Sequence, residues 1–159
     1  MQNKEDRLEV FKNVLTSTIK SIAEKKDCEV KFGKSSIENK NHQVVNLPEL
    51  NKLEKLSDFA SFRAKADSEA LRLKYSNNEI FEEYKPKGEM SKKLYKIAEK
   101  IRYEKIGSGI FEGIKKNLFF EYNQNNKKTN LNKNKLEDSF DSYLKNFFFN
   151  IKEVKKSKI

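Results

Sequence analysis

A thiol and an imidazole are the side chains of this sequence that could most simply form a nucleophilic pair. The chain has one cysteine, Cys28, and one histidine, His42, and a base beside a thiol can activate it for nucleophilic attack. Cys28 alternates with Val30 and Phe32 on the apolar side of a predicted strand, however, and charged residues separate them. We therefore interpret Cys28 as a small buried hydrophobic residue, and a stand-alone enzyme that uses Cys28 is the least favoured hypothesis.

Phosphate and metal chemistry can be tested against the spacing of glycines and of metal ligands. The G-K-S sequence at 33–35 follows a predicted strand, but a phosphate-binding loop needs a glycine where Cys28 stands. Gly107, Gly109 and Gly113 follow a helix instead of a strand, which favours a helix stop and restart over a pyrophosphate site. A lone histidine and a lone cysteine do not supply a tetrahedral zinc set. We expect no catalytic, cofactor-binding or metal-binding residues.

Polar side chains inside helical runs are stronger candidates for a specific role. Asp67 and Ser68 fall within a predicted helix, where their side chains compete with the backbone, so we favour an internal hydrogen bond over a partner contact. Glu99 and Arg102 are three residues apart and can pair on one face of a later helix, which also carries Glu104. If Arg102 instead reaches Asp67, the two segments form a structural clamp.

The apolar periodicity predicts the helices that position these side chains. Apolar residues that recur every three or four positions predict helices or helical turns at 5–25, 58–75, around Ile80 and Phe81, from Met90 to Gly107, at a fifth segment burying Ile110, Ile114 and Leu118, and from Leu136 to Ile151. Ser57 is the predicted N-cap of the second helix. Gly107 is predicted to end the fourth helix in the left-handed conformation.

A small β element and a polar linker complete the predicted organisation. Two short apolar segments between residues 28 and 47 predict a small two-stranded β-hairpin. The fold class is therefore mainly α, with five to six helices and this hairpin. One apolar side chain, Leu131, occurs in residues 123–135, which predicts a flexible linker. It separates a helical domain at 1–122 from an amphipathic helix and basic tail at 136–159.

The net charge of +10 raises the hypothesis of a small basic nucleic-acid-binding helical protein. The basic residues comprise 30 Lys and 4 Arg, whereas base and phosphate recognition favours the planar guanidinium of Arg. Nucleic-acid binding is therefore the second hypothesis. No segment approaches the roughly 18 apolar residues of a membrane span, and the N-terminus lacks the apolar core of a signal peptide, so we expect a cytoplasmic protein without membrane contact.

Three motifs occur in a specific order between residues 66 and 118. They are A-D-S-E-A-L at 66–71, E-K-I-R-Y-E-K-I-G at 99–107 and G-I-K-K-N-L at 113–118, with Pro86 between the first two. In this series they resemble the N-terminal region of the cobaltochelatase CobT family, over roughly residues 8 to 122. The candidates for structural or partner contacts on these motifs are Asp67, Ser68, Glu99, Arg102, Glu104 and Asn117.

The resemblance implies a noncatalytic assembly or regulatory subunit of an ATP-dependent cobaltochelatase, a ligase complex that forms nitrogen–metal bonds. That complex inserts cobalt into hydrogenobyrinic acid a,c-diamide during aerobic cobalamin biosynthesis. The implied partners are the AAA+ ATPase subunit CobS and the corrin-binding subunit CobN, in an oligomeric ring. The complex would use ATP, magnesium and cobalt, none of them bound by this chain.

The resemblance also has limits. The family's D-x-S-x-S metal-ion-dependent adhesion motif has no counterpart here, because D-S-F-D-S at 138–142 has the wrong spacing. We therefore expect either a fragment or a shortened member of the family. Many members have histidines where this chain has Ser76-Asn77 and Phe81, so no acid–base or ligand role carries over to these positions.

Overall fold

Helices make up most of the chain in the computed structural model, which describes residues 4–33, 43–51, 55–129 and 136–151. The described elements are α1 (Lys4–Ala23), β1 (Glu29–Phe32), β2 (Val44–Leu47), α2 (Leu56–Tyr75), α3 (Asn78–Glu83), α4 (Glu89–Ile110), α5 (Glu112–Thr129) and α6 (Leu136–Phe149). The mainly α fold class is therefore confirmed. No described helix is both long and apolar enough to cross a membrane. The chain divides into two compact units, Met1–Ser76 and Asn77–Ile159.

The core of the first unit lies between α1, α2 and the strands. Leu15 and Ile19 on α1 are fully buried, as their helical spacing predicts. They belong to one apolar cluster with Ala66 and Ala70 of α2 and with Cys28 beside β1. The predicted burial of the cysteine is thus confirmed, and the A-D-S-E-A-L motif supplies part of this core.

The two strands pair in parallel, which corrects the predicted hairpin. Glu29 is opposite Val44 and Phe32 is opposite Leu47, so both strands run in the same direction. Alternating apolar residues predict a strand without specifying the direction of its partner. Strand β1 ends at Phe32 and β2 begins at Val44, a separation that exceeds the two residues of a tight hairpin turn.

Helix α2 begins two residues earlier than predicted, with Lys55 and not Ser57 as the N-cap. The Asp58 carboxylate accepts a hydrogen bond of 3.0 Å from the backbone N–H of Lys55, and the Asp58 N–H donates to the Lys55 carbonyl. The side chain of Asp58, the third helical residue, therefore satisfies the backbone N–H of the N-cap residue Lys55. Asn77, predicted as a helix break, caps α3 by accepting from the N–H groups of Glu79 and Ile80.

Helix α4 is the central element of the second unit and packs against both α5 and α6. The prediction that Gly107 ends this helix is wrong, because its carbonyl accepts from the Phe111 N–H at 2.8 Å and α4 continues to Ile110. Gly107 and Ser108 are buried, and this tertiary packing outweighs the low helix propensity of glycine. Ile110 consequently belongs to α4, where it is exposed and not buried as predicted.

Helices α5 and α6 define the C-terminal part of the described chain. Helix α5 buries Ile114 and Leu118 as predicted, but it continues to Thr129, so the linker predicted from residue 123 begins too early. Extending an existing helix costs far less than starting one, which lets polar residues propagate it. Residues 130–135 and the predicted basic tail at 152–159 lie outside the described residues.

Leu15 and Cys28 are buried in the same apolar cluster. The rate of alkylation of the Cys28 thiol therefore reports the stability of the first unit. We expect slow alkylation of Cys28 in the native protein, because both side chains are buried in one cluster. Leu15→Ala should remove about 2–5 kcal/mol of stability and accelerate alkylation by about 30-fold or more. The control is Val14→Ala on the exposed face of α1, for which a change of about threefold or less is expected. Alkylation of the unmodified protein as fast as that of an unfolded thiol would contradict the described core.

Candidate functional site

The motif residues fall into two groups, one in each unit. Asp67 and Ser68 lie buried on α2 in the first unit. In the second unit, α4 carries Glu99, Arg102 and Glu104, of which Glu104 is buried. The remaining motif residue, Asn117, is half-buried on α5. Each unit therefore contains one buried motif carboxylate, and a buried carboxylate requires hydrogen-bond donors or a nearby positive charge.

The carboxylate of Asp67 has no exposed area and is held by an arginine from its own helix. Arg63 Nε donates to Asp67 Oδ1 at 3.0 Å, and Arg63 Nη1 donates to Thr18 Oγ1 at 3.1 Å. Thr18 belongs to α1, so the guanidinium joins the two helices while it neutralises the buried carboxylate. The predicted internal hydrogen bond at Asp67 is present in the form of this three-residue chain, which we call the Asp67 network.

Helix α2 makes a second polar connection, to the parallel strands. Arg72 Nε donates to Glu69 Oε2 at 2.8 Å, and Arg72 Nη2 donates to the Val44 carbonyl at 3.3 Å. This bond satisfies a backbone acceptor at the start of β2. Polar contacts thus hold α2 to α1 on one side and to the sheet on another.

The second buried carboxylate, Glu104, is paired with Tyr122. The Tyr122 hydroxyl of α5 donates to Glu104 Oε2, and Glu104 is only 1% exposed. Lys100 Nζ lies 3.9 Å from Glu104 Oε1 on the same helix. The Glu104–Tyr122 pair therefore joins α4 to α5 and provides both a donor and a nearby positive charge for the buried carboxylate.

Burial strongly perturbs the phenol of this pair. Loss of water around the ring raises the pKa of Tyr122, and the negative charge and hydrogen bond of Glu104 raise that pKa further. The ring also contacts α6, because Lys145 Nζ lies 4.5 Å from its centroid and the Phe149 ring packs edge-on at 5.4 Å. Tyr122 is thus the point at which α4, α5 and α6 meet.

Two contacts fix the direction of α6 along α4. Lys93 Nζ donates to Glu137 near the start of both helices, and Lys105 Nζ donates to the Phe148 carbonyl near both ends, each at 2.8 Å. The helices therefore run in the same direction. Asn150 then adopts the left-handed conformation, with its N–H bonded to the Asn146 carbonyl, and ends α6.

Glu99 and Arg102 form the predicted pair three residues apart. Arg102 Nε and Nη2 donate to the two Glu99 oxygens at 2.7 and 2.8 Å, which is a bidentate arrangement. This carboxylate raises the pKa of the Arg102 guanidinium. The clamp between Arg102 and Asp67 stays a prediction, since the bonds described here join each residue to a partner in its own unit.

The residues that complete both networks escaped the sequence analysis. Arg63 precedes Asp67 by four residues, a spacing that places the two on one helical face and could have identified the pair. Nothing local links Arg63 to Thr18, which is distant in sequence. Tyr122 lies four residues after Leu118, on the same face of the predicted fifth helix and just before the predicted linker. An aromatic ring with a polar hydroxyl at this position could have indicated burial.

The described residues bring together no group of three histidine, cysteine, aspartate or glutamate side chains that could hold a metal ion. The buried carboxylates of Asp67 and Glu104 accept internal hydrogen bonds from Arg63 and Tyr122. The arrangement defines a mainly helical protein with a small parallel sheet, in which each of the two units contains a paired, buried carboxylate.

Comparison with known families identifies the chain more closely. The family model described as cobalamin biosynthesis protein CobT matches residues 5–141. This match covers most of the 159 residues, and the chain belongs to the CobT family. It is therefore involved in cobalamin biosynthesis. No solved structure matches the chain.

Neutralising Asp67 should destabilise the first unit. Asp67→Asn leaves the Arg63 guanidinium without its anionic partner, and we expect a loss of about 1–3 kcal/mol, or roughly 5- to 150-fold faster Cys28 alkylation. Glu69→Gln is the matched control, since it makes the same chemical change in a partly exposed pair on the same helix, where about 1 kcal/mol or less is expected. Equal effects of the two substitutions would contradict a larger contribution to stability from the buried Asp67 network than from the partly exposed Glu69–Arg72 pair.

The raised pKa of Tyr122 predicts a loss of stability at alkaline pH. An unfolded phenol loses its proton near pH 10, whereas the folded Tyr122 retains it, so the unfolded chain binds fewer protons above about pH 10. The free energy of unfolding therefore falls as pH rises from about 10 to 12, by up to about 1.4 kcal/mol per pH unit from this group. Tyr122→Phe should remove this part of the slope in urea unfolding followed by circular dichroism. Identical slopes for the two proteins would contradict a buried phenol.

Proposed function

We propose that this chain is a noncatalytic assembly subunit of the ATP-dependent cobaltochelatase that inserts cobalt into hydrogenobyrinic acid a,c-diamide. Membership of the CobT family supports the pathway. The observation that carries the finer proposal is that Asp67 and Glu104, one from each of two family motifs, are buried and bonded within their own units. The two carboxylates accept hydrogen bonds within the fold, and these bonds hold helices together.

An internal role for the motif carboxylates favours docking as the way this chain acts. A general acid or base must reach a reacting atom, but the Asp67 carboxylate has no exposed area and Glu104 is 1% exposed. Rigid helices, by contrast, present fixed surfaces to a partner at a low entropic cost. The proposed assembly subunit would therefore contribute shape and surface contacts to the complex.

The proposed partners are an AAA+ ATPase subunit of the CobS type and a corrin-binding subunit of the CobN type, arranged in an oligomeric ring. ATP and magnesium would be used by the ATPase subunit, and cobalt is the metal inserted as substrate. We place this assembly in the cytoplasm, where ATP is supplied. The exposed Glu99–Arg102 pair is a candidate partner contact, because its side chains already have a fixed bidentate geometry.

Mixing the purified chain with these two partners tests the proposal. We expect the chain to co-elute with them in size-exclusion chromatography and to raise the rate of ATP hydrolysis by the AAA+ subunit. Leu15→Ala should weaken both effects at temperatures where it unfolds the first unit, whereas Val14→Ala should retain them. Absence of both co-elution and stimulation, or cobalt insertion by the isolated chain, would contradict the proposal.

The net charge of +10 favours a second candidate, a nucleic-acid-binding protein. Many of its lysines already face carboxylates, as Lys85 faces Glu82 and Lys92 faces Glu89. The same purified chain separates the two candidates. A nucleic-acid-binding protein would bind duplex or single-stranded oligonucleotides at about 50 mM salt and lose most of that affinity by about 200 mM. The assembly subunit should show no measurable binding to either oligonucleotide at about 50 mM salt.

A further inference from the structure

Helix α6 is attached to the second unit by few buried side chains. Of its 14 residues, Phe149 is the one that is buried, whereas α2 buries seven residues and α4 buries five. Phe140 and Leu144 are half-buried, and Ile151 is buried just after the helix ends. A segment with few buried apolar contacts opens locally at a lower free energy than the core of a protein. Helix α6 is therefore weakly anchored compared with α4, the helix on which it packs.

The polar contacts that attach α6 to α4 lie at the surface. Lys93 pairs with Glu137 at the start of α6, but the Lys93 side chain is 59% exposed, and surface ion pairs contribute little to stability. At the other end, the exposed Lys105 donates to the Phe148 carbonyl and lies 5.6 Å from the centroid of the Phe149 ring. Water can replace exposed hydrogen bonds at a small net cost. These contacts orient α6 more than they hold it.

The docked position of α6 also leaves a hydrogen-bond acceptor unsatisfied. The side-chain oxygen of Asn146, Oδ1, is buried and has no donor among the described residues. A buried acceptor without a donor raises the free energy of the docked state, whereas water supplies a donor once the helix has separated. One of its own side chains therefore opposes the docking of α6.

Helices α4 and α5 are joined by contacts that do not involve α6. The Tyr122 hydroxyl of α5 donates to Glu104 of α4, and α5 also buries Ile114 and Leu118. None of these four side chains belongs to α6. The pairing of α4 with α5 can therefore persist when α6 separates.

Helix α6 covers two aromatic rings of α5. The Phe149 ring packs edge-on against Phe119 and Tyr122, with centroids 6.3 and 5.4 Å apart. Lys145 Nζ lies 4.5 Å from the centroid of the Tyr122 ring. Phe119 is half-buried and Tyr122 is buried with α6 in place. Separation of α6 would uncover both rings.

We propose that α6 is a reversible cover of the second unit, which opens as one segment while α4 and α5 remain packed together. Opening exposes Phe119 and Tyr122 on α5 and hydrates the Asn146 side chain. Access to the two rings then depends on the opening of α6, so the contact between α6 and α5 is autoinhibitory for that surface. This inference goes beyond the proposed function and does not rest on it.

Hydrogen exchange of the intact chain, followed by mass spectrometry, tests whether α6 opens separately. We expect the amides of α6 to exchange together and at least about tenfold faster than the buried amides of α4. Low concentrations of urea should accelerate exchange in α4 more steeply than in α6, because the opening of one helix exposes less surface than the unfolding of the unit. Equal rates and equal urea dependence in the two helices would overturn the inference.

Phe149→Ala tests whether α4 keeps its structure when α6 is open. Loss of the buried ring should accelerate exchange in α6 by about 100-fold or more, up to the rate of an unstructured chain, while α4 stays protected by about tenfold or more. Phe147→Ala is the matched control, since it makes the same change at a ring that is 67% exposed, and about threefold or less is expected. Loss of protection in α4 together with α6, or equal effects of the two substitutions, would overturn the inference.

Asn146→Leu should act in the opposite direction. This substitution removes the unsatisfied acceptor and keeps a side chain of similar size, so exchange in α6 should slow by about fivefold or more. Destabilising changes are common, and a substitution that slows the exchange of one helix is therefore a specific test. Faster exchange in Asn146→Leu would overturn the assignment of Asn146 as a residue that opposes docking.

Discussion

A carboxylate removed from water must be met by donors in fixed positions, and both units of this protein are organised around that requirement. In the first unit, Asp67 is met by Arg63, whose other nitrogen reaches Thr18 on the neighbouring helix. In the second unit, Glu104 is met by the hydroxyl of Tyr122. Apolar packing alone would tolerate small shifts of one helix along another. The directed bonds select one register, because any shift leaves a buried charge without its donor.

This constraint explains why polar motif residues lie inside a helical protein. Asp67 lies on α2 between Ala66 and Ala70, both of which are buried in the core. Glu104 lies beside the buried Tyr103 on α4. Two of the motif carboxylates, Asp67 and Glu104, therefore lie at points where helices are held together.

Sequence patterns predict the helices well because burial repeats along them. Leu15, Ile19, Ala70 and Leu118 all lie where a period of 3.6 residues places them, and all are buried. The direction of strand pairing could not be predicted, because alternation at Cys28 and Val30 is the same for parallel and antiparallel partners. The predicted end of α4 at Gly107 was wrong because a glycine can either end a helix or pack within one. Only tertiary contacts decide between these two outcomes.

The candidate site was predictable only in part. Asp67 stands out because an aspartate side chain competes with the backbone of a helix, whereas Glu104 was singled out only as part of the E-K-I-R-Y-E-K-I-G motif, and both are buried. Their partners depend on which helices meet, and Thr18 and Tyr122 are brought to them by tertiary structure. The arrangement of α6 was likewise hidden, since the sequence shows its aromatic residues but not that Phe149 is buried while Phe147 is exposed.

The central claim is that the motif carboxylate of Asp67 stabilises the fold. A double-mutant cycle on Asp67 and Arg63 tests this claim most directly. The stability of the first unit would be measured through Cys28 alkylation for Asp67→Asn, Arg63→Met and the double variant. The account predicts a coupling of about 1 kcal/mol or more, with the double variant losing clearly less than the sum of the single losses. Losses that add to within about 0.3 kcal/mol would show that the two side chains act independently and would contradict the account.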